Sequence, residues 1–557
     1  MGNQSNKNSF LIQGSILAFA GILVRVIGLI YRIPLNRILG DVGLGYYGTA
    51  FDFYNILILL SSQSMPLAVS KIISEKLQKR QFRNAHKVFK GALLYGTVIG
   101  VCFGLFLFLG ADWIAYTVYK MPPVSIALRV LAPTLTIACI LGVVRGYFQG
   151  MGNMVPTAVS QIFEQIVNAF VSILAAYELG AYGYTLSKVA KEAGVLKDSY
   201  AAAGGTLGTL AGALTALLFM FFIVWINKDI IKKRKKRDRT GIEDSYGTIT
   251  KVILWTITPV LLSTTIYNIG NLLDNPIYQN IMVGIFHVNE KTNSASWGIY
   301  SGYYRLLTTM PIAIASSLST AIVPSLVRSY TAKDQLAVKS KVTLAQKFSM
   351  LIAFPCGMGL SVLGGPINAM LFGSDINDTV VIMIFSVFTV VAFSLSTISN
   401  AILQGIDKLN VPIKNSAISL GIHLVILPIL LIVFRLGIYA VVIGDFTFAM
   451  TVAILNSFSI KRYLGYRQEI QFTLVKPFIC AGVMGIGCLV IYKLGMLLLP
   501  MNTTWTINAV STIFAILIGV GIYGIVLIFT KTITEDELYA MPKGTVLIGI
   551  LKKVHLL

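Results

Sequence analysis

The residues best suited to chemistry are charged and amide side chains set inside long apolar stretches. Arg25 and Arg32 stand seven positions apart in RVIGLIYR, about two helical turns, so both project from one helix face, which Asn36 continues. A guanidinium keeps its charge and grips phosphate oxygens through a two-pronged hydrogen bond. Two of them on one face suit an anionic head group. The packing alternative pairs Arg25 with a carboxylate and lets Arg32 snorkel to the membrane edge. A third arginine, Arg305 in YSGYYRLLTTMP, has Tyr303 and Tyr304 beside it and Pro311 beyond. It either completes a cationic cluster with the first two or forms an ion pair with Asp274.

Amides and carboxylates form a second group. In IYNIGNLLDNP, Asn268, Asn271 and Asn275 lie at i, i+3 and i+7, with Asp274 alongside and Pro276 removing a backbone hydrogen bond. An interrupted polar helix is a recurrent place for substrate or cation coordination; the alternative is a hydrogen-bonded seam between helices. Asp52 and Asn55 are one turn apart, ahead of Ser61, Ser62, Gln63 and Ser64. Glu164 and Asp445 also fall in apolar segments, and Asp274 and Asp445 are the candidates for cation coupling. His423 reads as a buried, hydrogen-bonded histidine, and Arg129 has no evident partner. The chain contains no Walker A, G-x-S-x-G or H-E-x-x-H pattern, so no catalytic residues are expected. Cys102, Cys139, Cys356, Cys480 and Cys488 lie in apolar segments without CxxC or His/Cys clustering, which argues against disulfides and metal.

The elements that hold these residues are membrane spans. The chain has 557 residues, 55% hydrophobic and 12% charged, about half the charge of an average globular chain. Its mean hydropathy is +0.76. Blocks such as GALLYGTVIGVCFGLFLFLGA are long enough to cross a bilayer as helices. Fourteen spans are predicted, at 10–36, 46–76, 85–119, 123–148, 155–180, 201–228, 249–282, 296–329, 338–371, 378–404, 411–434, 437–460, 473–499 and 503–530. The first is read as a retained span because no small-residue cleavage site follows it. With the N-terminus inside, 33 of the 45 lysines and arginines fall in inner loops and tails and nine outside. That bias predicts both termini in the cytoplasm. It also accounts for the +22 net charge and the run IIKKRKKRDR at 230–239 without nucleic acid.

An internal repeat sets the architecture. GYFQGMGNMVP (146–156) and NAILQGIDKLNVP (400–412) each read apolar helix, Gln-Gly, polar turn and proline, with the Gln-Gly pairs 255 residues and six spans apart. The glycine is expected to cap the first helix in the left-handed conformation and the proline to open the next. SSQSMPLAVSKIISE (61–75) and TTMPIAIASSLSTAIVPSLV (308–327) echo each other at the same interval. Six is even, so the halves share an orientation. The expected fold is an all-α polytopic membrane protein with two six-helix lobes, related by a pseudo-twofold axis along the membrane normal, plus a C-terminal helix pair. The expected domains are residues 1–228, a basic cytoplasmic linker at 229–248, 249–460, and 461–557.

RVIGLIYRIP (25–34), VRGYFQGMGNMVPTAVSQIFEQIVN (144–168) and NAILQGIDKLNVP together resemble the MurJ-type lipid II flippases and the related stage V sporulation protein B and polysaccharide-exporter families of the multidrug/oligosaccharidyl-lipid/polysaccharide flippase superfamily. The resemblance spans nearly the whole chain. It implies alternating access between two lobes, a central cavity for an undecaprenyl-pyrophosphate-linked sugar, and a lipid-tail groove formed by spans 13 and 14. It places Arg25 on a family arginine, Arg32 close to a second, Arg305 near a span 8 basic position, and Asn55 on a span 2 asparagine. Acidic residues found near the span 8 arginine in Gram-negative members are replaced here by Tyr304 or Leu306 and Thr308 or Thr309. The implied partners are the lipid-linked substrate, membrane lipids and wall-synthesis proteins. No cofactor is implied beyond Na+ or H+ as a coupling ion, or the membrane potential. The rivals are a cation-coupled multidrug exporter of the same superfamily, a membrane glycan polymerase, and a scaffold for wall synthesis.

Overall fold

Apolar runs without water must satisfy their backbone polar groups internally, and helices do so within one segment. The computed structural model describes residues 2–63, 65–189, 195–241, 244–498 and 504–532; among these, the side chains of 2–15, 18, 195, 234, 257–269, 271–272, 316 and 318–324 are not described. The regular structure of the described residues is helical and includes no strand. Among the described residues, eleven helices are long and apolar enough to cross a membrane. The chain falls into two compact units, Met1–Gly298 and Ile299–Leu557.

The first unit contains α1 (Gly2–Ser61), α2 (Met65–Gln78), α3 (Phe82–Trp113), α4 (Ser125–Gly150), α5 (Val155–Val189), α6 (Val195–Ile226), α7 (Lys228–Lys236), α8 (Tyr246–Gln279) and α9 (Glu290–Gly298). Spans 1 and 2 of the sequence reading are joined differently from expectation. The helix continues through both and is interrupted only at Gly40, whose φ of 61° and ψ of 177° are non-helical. The second span then breaks at Ser62 and Gln63 before α2 begins. The stretch left between the spans expected at 155–180 and 201–228 is also mostly helix, because α5 runs to Val189 and α6 starts at Val195. The helix that opened the expected second lobe, α8, belongs to the first compact unit.

Close helix contact holds this unit together. α5 and α6 meet along small residues: a Cβ on Gly208 would lie 2.6 Å from the Asn168 carbonyl oxygen, and one on Gly212 2.5 Å from that of Glu164. A separate apolar core joins Met65, Val69 and Ile73 of α2, Val88 and Phe89 of α3, and Tyr147 of α4, with Ile231 of α7 inserted.

The second unit contains α10 (Arg305–Thr331), α11 (Gln335–Phe372), α12 (Ile376–Ile384), α13 (Ser386–Gly405), α14 (Asn410–Ile432), α15 (Ile438–Leu464), α16 (Lys476–Leu498) and α17 (Thr504–Phe529). Span 10 of the sequence reading is divided at Phe385 into α12 and α13. The C-terminal pair packs on α11: Met350, Phe354 and Leu363 share a core with Cys480, Met484, Ala515 and Tyr523. The Tyr523 hydroxyl donates to the Leu351 carbonyl at 2.9 Å, and the Asn508 amide to that of Pro366 at 3.0 Å.

The repeated turns correct one expectation. Gly150 is still helical; the left-handed residues come two positions later, at Gly152 (φ 79°) and at Asp407 (φ 61°). Gly150 is needed for close approach, since a Cβ there would sit 2.9 Å from the Ser70 carbonyl oxygen. Pro156 and Pro412 do fall in the first turns of α5 and α14.

Gly208→Ala should therefore destabilise the protein by about 1–3 kcal/mol through overpacking. Gly21→Ala, whose Cβ meets nothing within 4 Å, should be neutral. Thermal unfolding of the two purified variants in one detergent checks this; equal midpoints would contradict the assigned packing.

Candidate functional site

The arginine face of α1 is oriented by helical geometry. Phe19, Ile22, Val26 and Ile30 form an exposed apolar stripe along the helix. At about 100° per residue, Arg25, Arg32 and Asn36 lie roughly a quarter turn from that stripe. Arg25 is exposed and makes no hydrogen bond or ion pair with another described residue, whereas Arg32 is half-buried and Asn36 is buried. Asn55, on the second half of α1, is exposed.

Asp52 and Asn275 are brought together, in a buried chain of polar groups. The Asn275 amide donates to the Asp52 carboxylate at 3.1 Å and to the Thr49 hydroxyl at 3.0 Å. Gln279 donates to the Asn275 carbonyl oxygen at 3.1 Å, and Asn293 donates to Gln279. Thr49, Asp52, Asn275, Gln279 and Asn293 are each at most 3% exposed. The chain thus ties α1 to α8 and α9. Around it, Tyr46 donates to Glu290 at 3.1 Å and Ser294 to the Val42 carbonyl at 3.0 Å. Contact is close enough that a Cβ on Gly45 would lie 2.1 Å from the Ser294 carbonyl oxygen, and one on Gly298 2.0 Å from that of Asp41. Of the asparagine stripe, Asn275 belongs to an interhelical seam; the side chains of Asn268 and Asn271 lie outside those described. Asp274 is buried.

Burial also affects the seam's acidic member outside the spans. Removal of the Glu290 carboxyl from water raises its pKa, while the Tyr46 hydroxyl and Lys291 act in the opposite direction.

In the second unit, a π-helical segment at Ile299–Tyr304 precedes α10. Its tyrosines turn inward: Tyr300 donates to the Asp445 carboxylate at 2.6 Å, Tyr304 donates to Thr389 at 2.7 Å, and Tyr303 stacks on Phe372. Arg305, the next residue, is half-buried. Asp445 is buried on α15, and the neighbouring Gly444 carbonyl meets His423 Nδ1 at 3.0 Å. His423 is thus the hydrogen-bonded histidine expected from its setting.

Two pairings were not legible in sequence. Arg145 of α4 bonds Glu164 of α5 at 2.6 Å and Ser160 at 2.9 Å. Arg129 pairs with Asp112. Intramembrane charge marked Glu164 and Arg129 as of interest, but nothing in the spacing pointed to Arg145, Ser160 or Asp112 as their partners. Among the described residues no three His, Cys, Asp or Glu side chains group as a metal site. Guanidinium groups are suited to anionic oxygens, and Arg25 carries one in the first unit and Arg305 one in the second.

The sequence and the fold identify the class. The described structure superposes on a structure of the lipid II flippase MurJ in an inward closed conformation with TM-score 0.64 and 15% identity, covering 92% of this chain and 98% of that one. An inward-facing multidrug resistance MATE family transporter of the MOP superfamily also gives 0.64, at 17% identity, over 79% of this chain and 94% of that one. The chain has the fold of these multi-pass membrane transporters. It belongs to the polysaccharide biosynthesis protein family, whose pattern matches residues 11–330. The stage V sporulation protein B of Bacillus subtilis (strain 168) is 26% identical over 540 residues, 96% of this chain and 98% of that protein.

If the seam acts as one unit, Asp52→Ala and Asn275→Ala should each lower stability by about 1–3 kcal/mol, because each strands a buried polar group. The double variant should lose less than the sum, with a coupling of about 0.5 kcal/mol or more in thermal unfolding. Strict additivity would separate the two residues.

Proposed function

We propose that this protein moves an undecaprenyl-pyrophosphate-linked cell-wall precursor, lipid II or a related lipid-linked oligosaccharide, from the inner to the outer leaflet of a bacterial cytoplasmic membrane for peptidoglycan or polysaccharide synthesis. The observation that carries the proposal is Arg25. It is a permanent charge on a predominantly apolar helix, exposed and without a hydrogen bond to another described residue. Such a charge is costly among apolar surroundings unless a counter-charge or water reaches it. A pyrophosphate supplies that counter-charge and gains fork-like hydrogen bonds in return. Arg305 and Arg32 are assigned to the same anionic head group, with Asn55 contacting its polar sugar. Asp52, Asn275 and Asn271 are assigned to the part of the site that changes partners as the protein alternates.

The extent of the fold favours a lipid-linked substrate over a drug. The flippase structure covers 92% of this chain and the MATE transporter 79%. The C-terminal pair α16 and α17 is assigned to the polyprenyl tail, which stays in lipid while the head group crosses. Both termini are placed in the cytoplasm by the lysine and arginine bias. The protein works without a catalytic step. The empty form is reset by Na+, H+ or the membrane potential, with Asp274 and Asp445 as the cation candidates; one charge moved through 100 mV is worth about 2.3 kcal/mol.

Reconstitution in liposomes with fluorescent lipid II tests this. Wild type should move the lipid to the opposite leaflet, while Arg25→Ala and Arg305→Ala should slow it at least about tenfold, the loss of one charge-assisted contact. Arg129→Ala, which removes an exposed surface pair, should transport normally. Failure of wild type with lipid II under every imposed ion gradient would remove that substrate, and drug efflux unaffected by Arg25→Ala would replace the reading.

A further inference from the structure

The basic run at 230–239 is accounted for by topology alone, yet the structure gives it a fixed position. α7 is anchored to the first unit at both ends of the linker. Ile231 is buried in the core formed with Ile73, Phe89 and Tyr147. Downstream, the Asp238 carboxylate accepts from the Arg83 backbone N–H at 2.8 Å and from the Thr240 N–H and hydroxyl at 3.0 and 2.6 Å. These bonds outweigh the effect of burial and hold its pKa below the usual value. Asp244 pairs with Lys76, and its N–H donates to Asn84 at 3.0 Å. The linker is therefore a docked element.

Docking leaves a shallow, open-mouthed slot between α7 and the ends of α2, α3 and α4, with enclosed room for about one water. Its walls are apolar, among them Ile73, Leu77, Phe82 and Met151, and its polar groups are His86 and Lys235. His86 Nδ1 is buried there with no hydrogen-bond partner among the described residues. Lys235 is half-buried; loss of water, together with Lys90 and Arg83 nearby, lowers its pKa. An unpaired buried imidazole nitrogen beside a crowd of cations is unfavourable by itself, and an anionic oxygen relieves both defects at once. The slot's apolar walls favour an anion that carries apolar substance. On the same side, Ile230 and Trp225 are exposed, with Lys228 over the Trp225 ring at 5.3 Å, an arrangement suited to a membrane surface.

We propose that the open mouth of this slot binds the phosphate of an anionic phospholipid from the leaflet facing α7, with His86 and Lys235 on the phosphate and Leu77, Phe82 and Met151 against the first methylenes. This site is separate from Arg25 and Arg305 and does not depend on the transported substrate. The bound lipid fastens the linker to the membrane surface by charge.

Native mass spectrometry of the full-length protein, titrated with phosphatidylglycerol or phosphatidylcholine, tests the site. Wild type should bind phosphatidylglycerol preferentially. His86→Gln and Lys235→Gln should each weaken that binding about tenfold, whereas Lys228→Gln, on the same helix but outside the slot, should change it less than about twofold. An equal loss in Lys228→Gln would mean diffuse attraction and overturn the proposal, as would unaltered binding in both slot variants. Inorganic phosphate that competes as well as the lipid would reduce the slot to a free-anion site and also overturn it. Should the slot variants not fold, labelling of wild type by photoactivatable phosphatidylglycerol decides: adducts on 73–86 or 147–151 support the site, and adducts elsewhere reject it.

Discussion

The constraint behind this structure is the cost of a polar group that has left water without finding a partner. In apolar surroundings the backbone meets it by staying helical. Polar side chains meet it only in pairs and chains, so each such chain fixes which helices touch. The Asn275 amide is the centre of one: through Thr49 and Asp52 on one side and Gln279 and Asn293 on the other, it dictates the mutual placement of α1, α8 and α9. Arg145 with Glu164 and Ser160 does the same for α4 and α5, and Tyr300 with Asp445 for the approach to α10 and α15. Against that background Arg25, with no bonded neighbour among the described residues, stands out, and the proposed function rests on that contrast.

Close packing supplies what polar chains cannot. Between α5 and α6, and where Gly45 and Gly298 meet Ser294 and Asp41, the backbone itself is the contact surface. Small residues permit that approach, and in membranes dispersion contacts of this kind replace the solvent-driven association of soluble helices.

Much of this was legible from sequence because the signals were local. Apolar length gave a helical membrane protein, and the two Gln-Gly turns marked helix ends at Gly150 and Gly405. The face shared by Arg25 and Arg32 needed only helical periodicity. The errors came where one residue decides. The left-handed positions fell at Gly152 and Asp407, since Gly150 was already committed to close approach against α2. The division at Phe385 interrupts a run whose hydropathy is continuous, and the break at Ser62 and Gln63 falls in a polar stretch too short to separate two spans by hydropathy. Partners were less legible still. Asn275 and Asp52 are 223 positions apart, and whether they meet depends on the rotation of two helices. π-helical segments at Asn280–Ile285 and Ile299–Tyr304 add to this, because each extra residue in a turn advances every later side chain by about 100°. Even a correct helix assignment therefore misaims the residues that follow.

Gly40 bears on how the chain can be handled. The first two spans meet at one non-helical residue, so this part of the protein has no loop in which to place an epitope, a protease site or a fluorophore attachment. An inserted segment there would extend or split a helix on both sides at once.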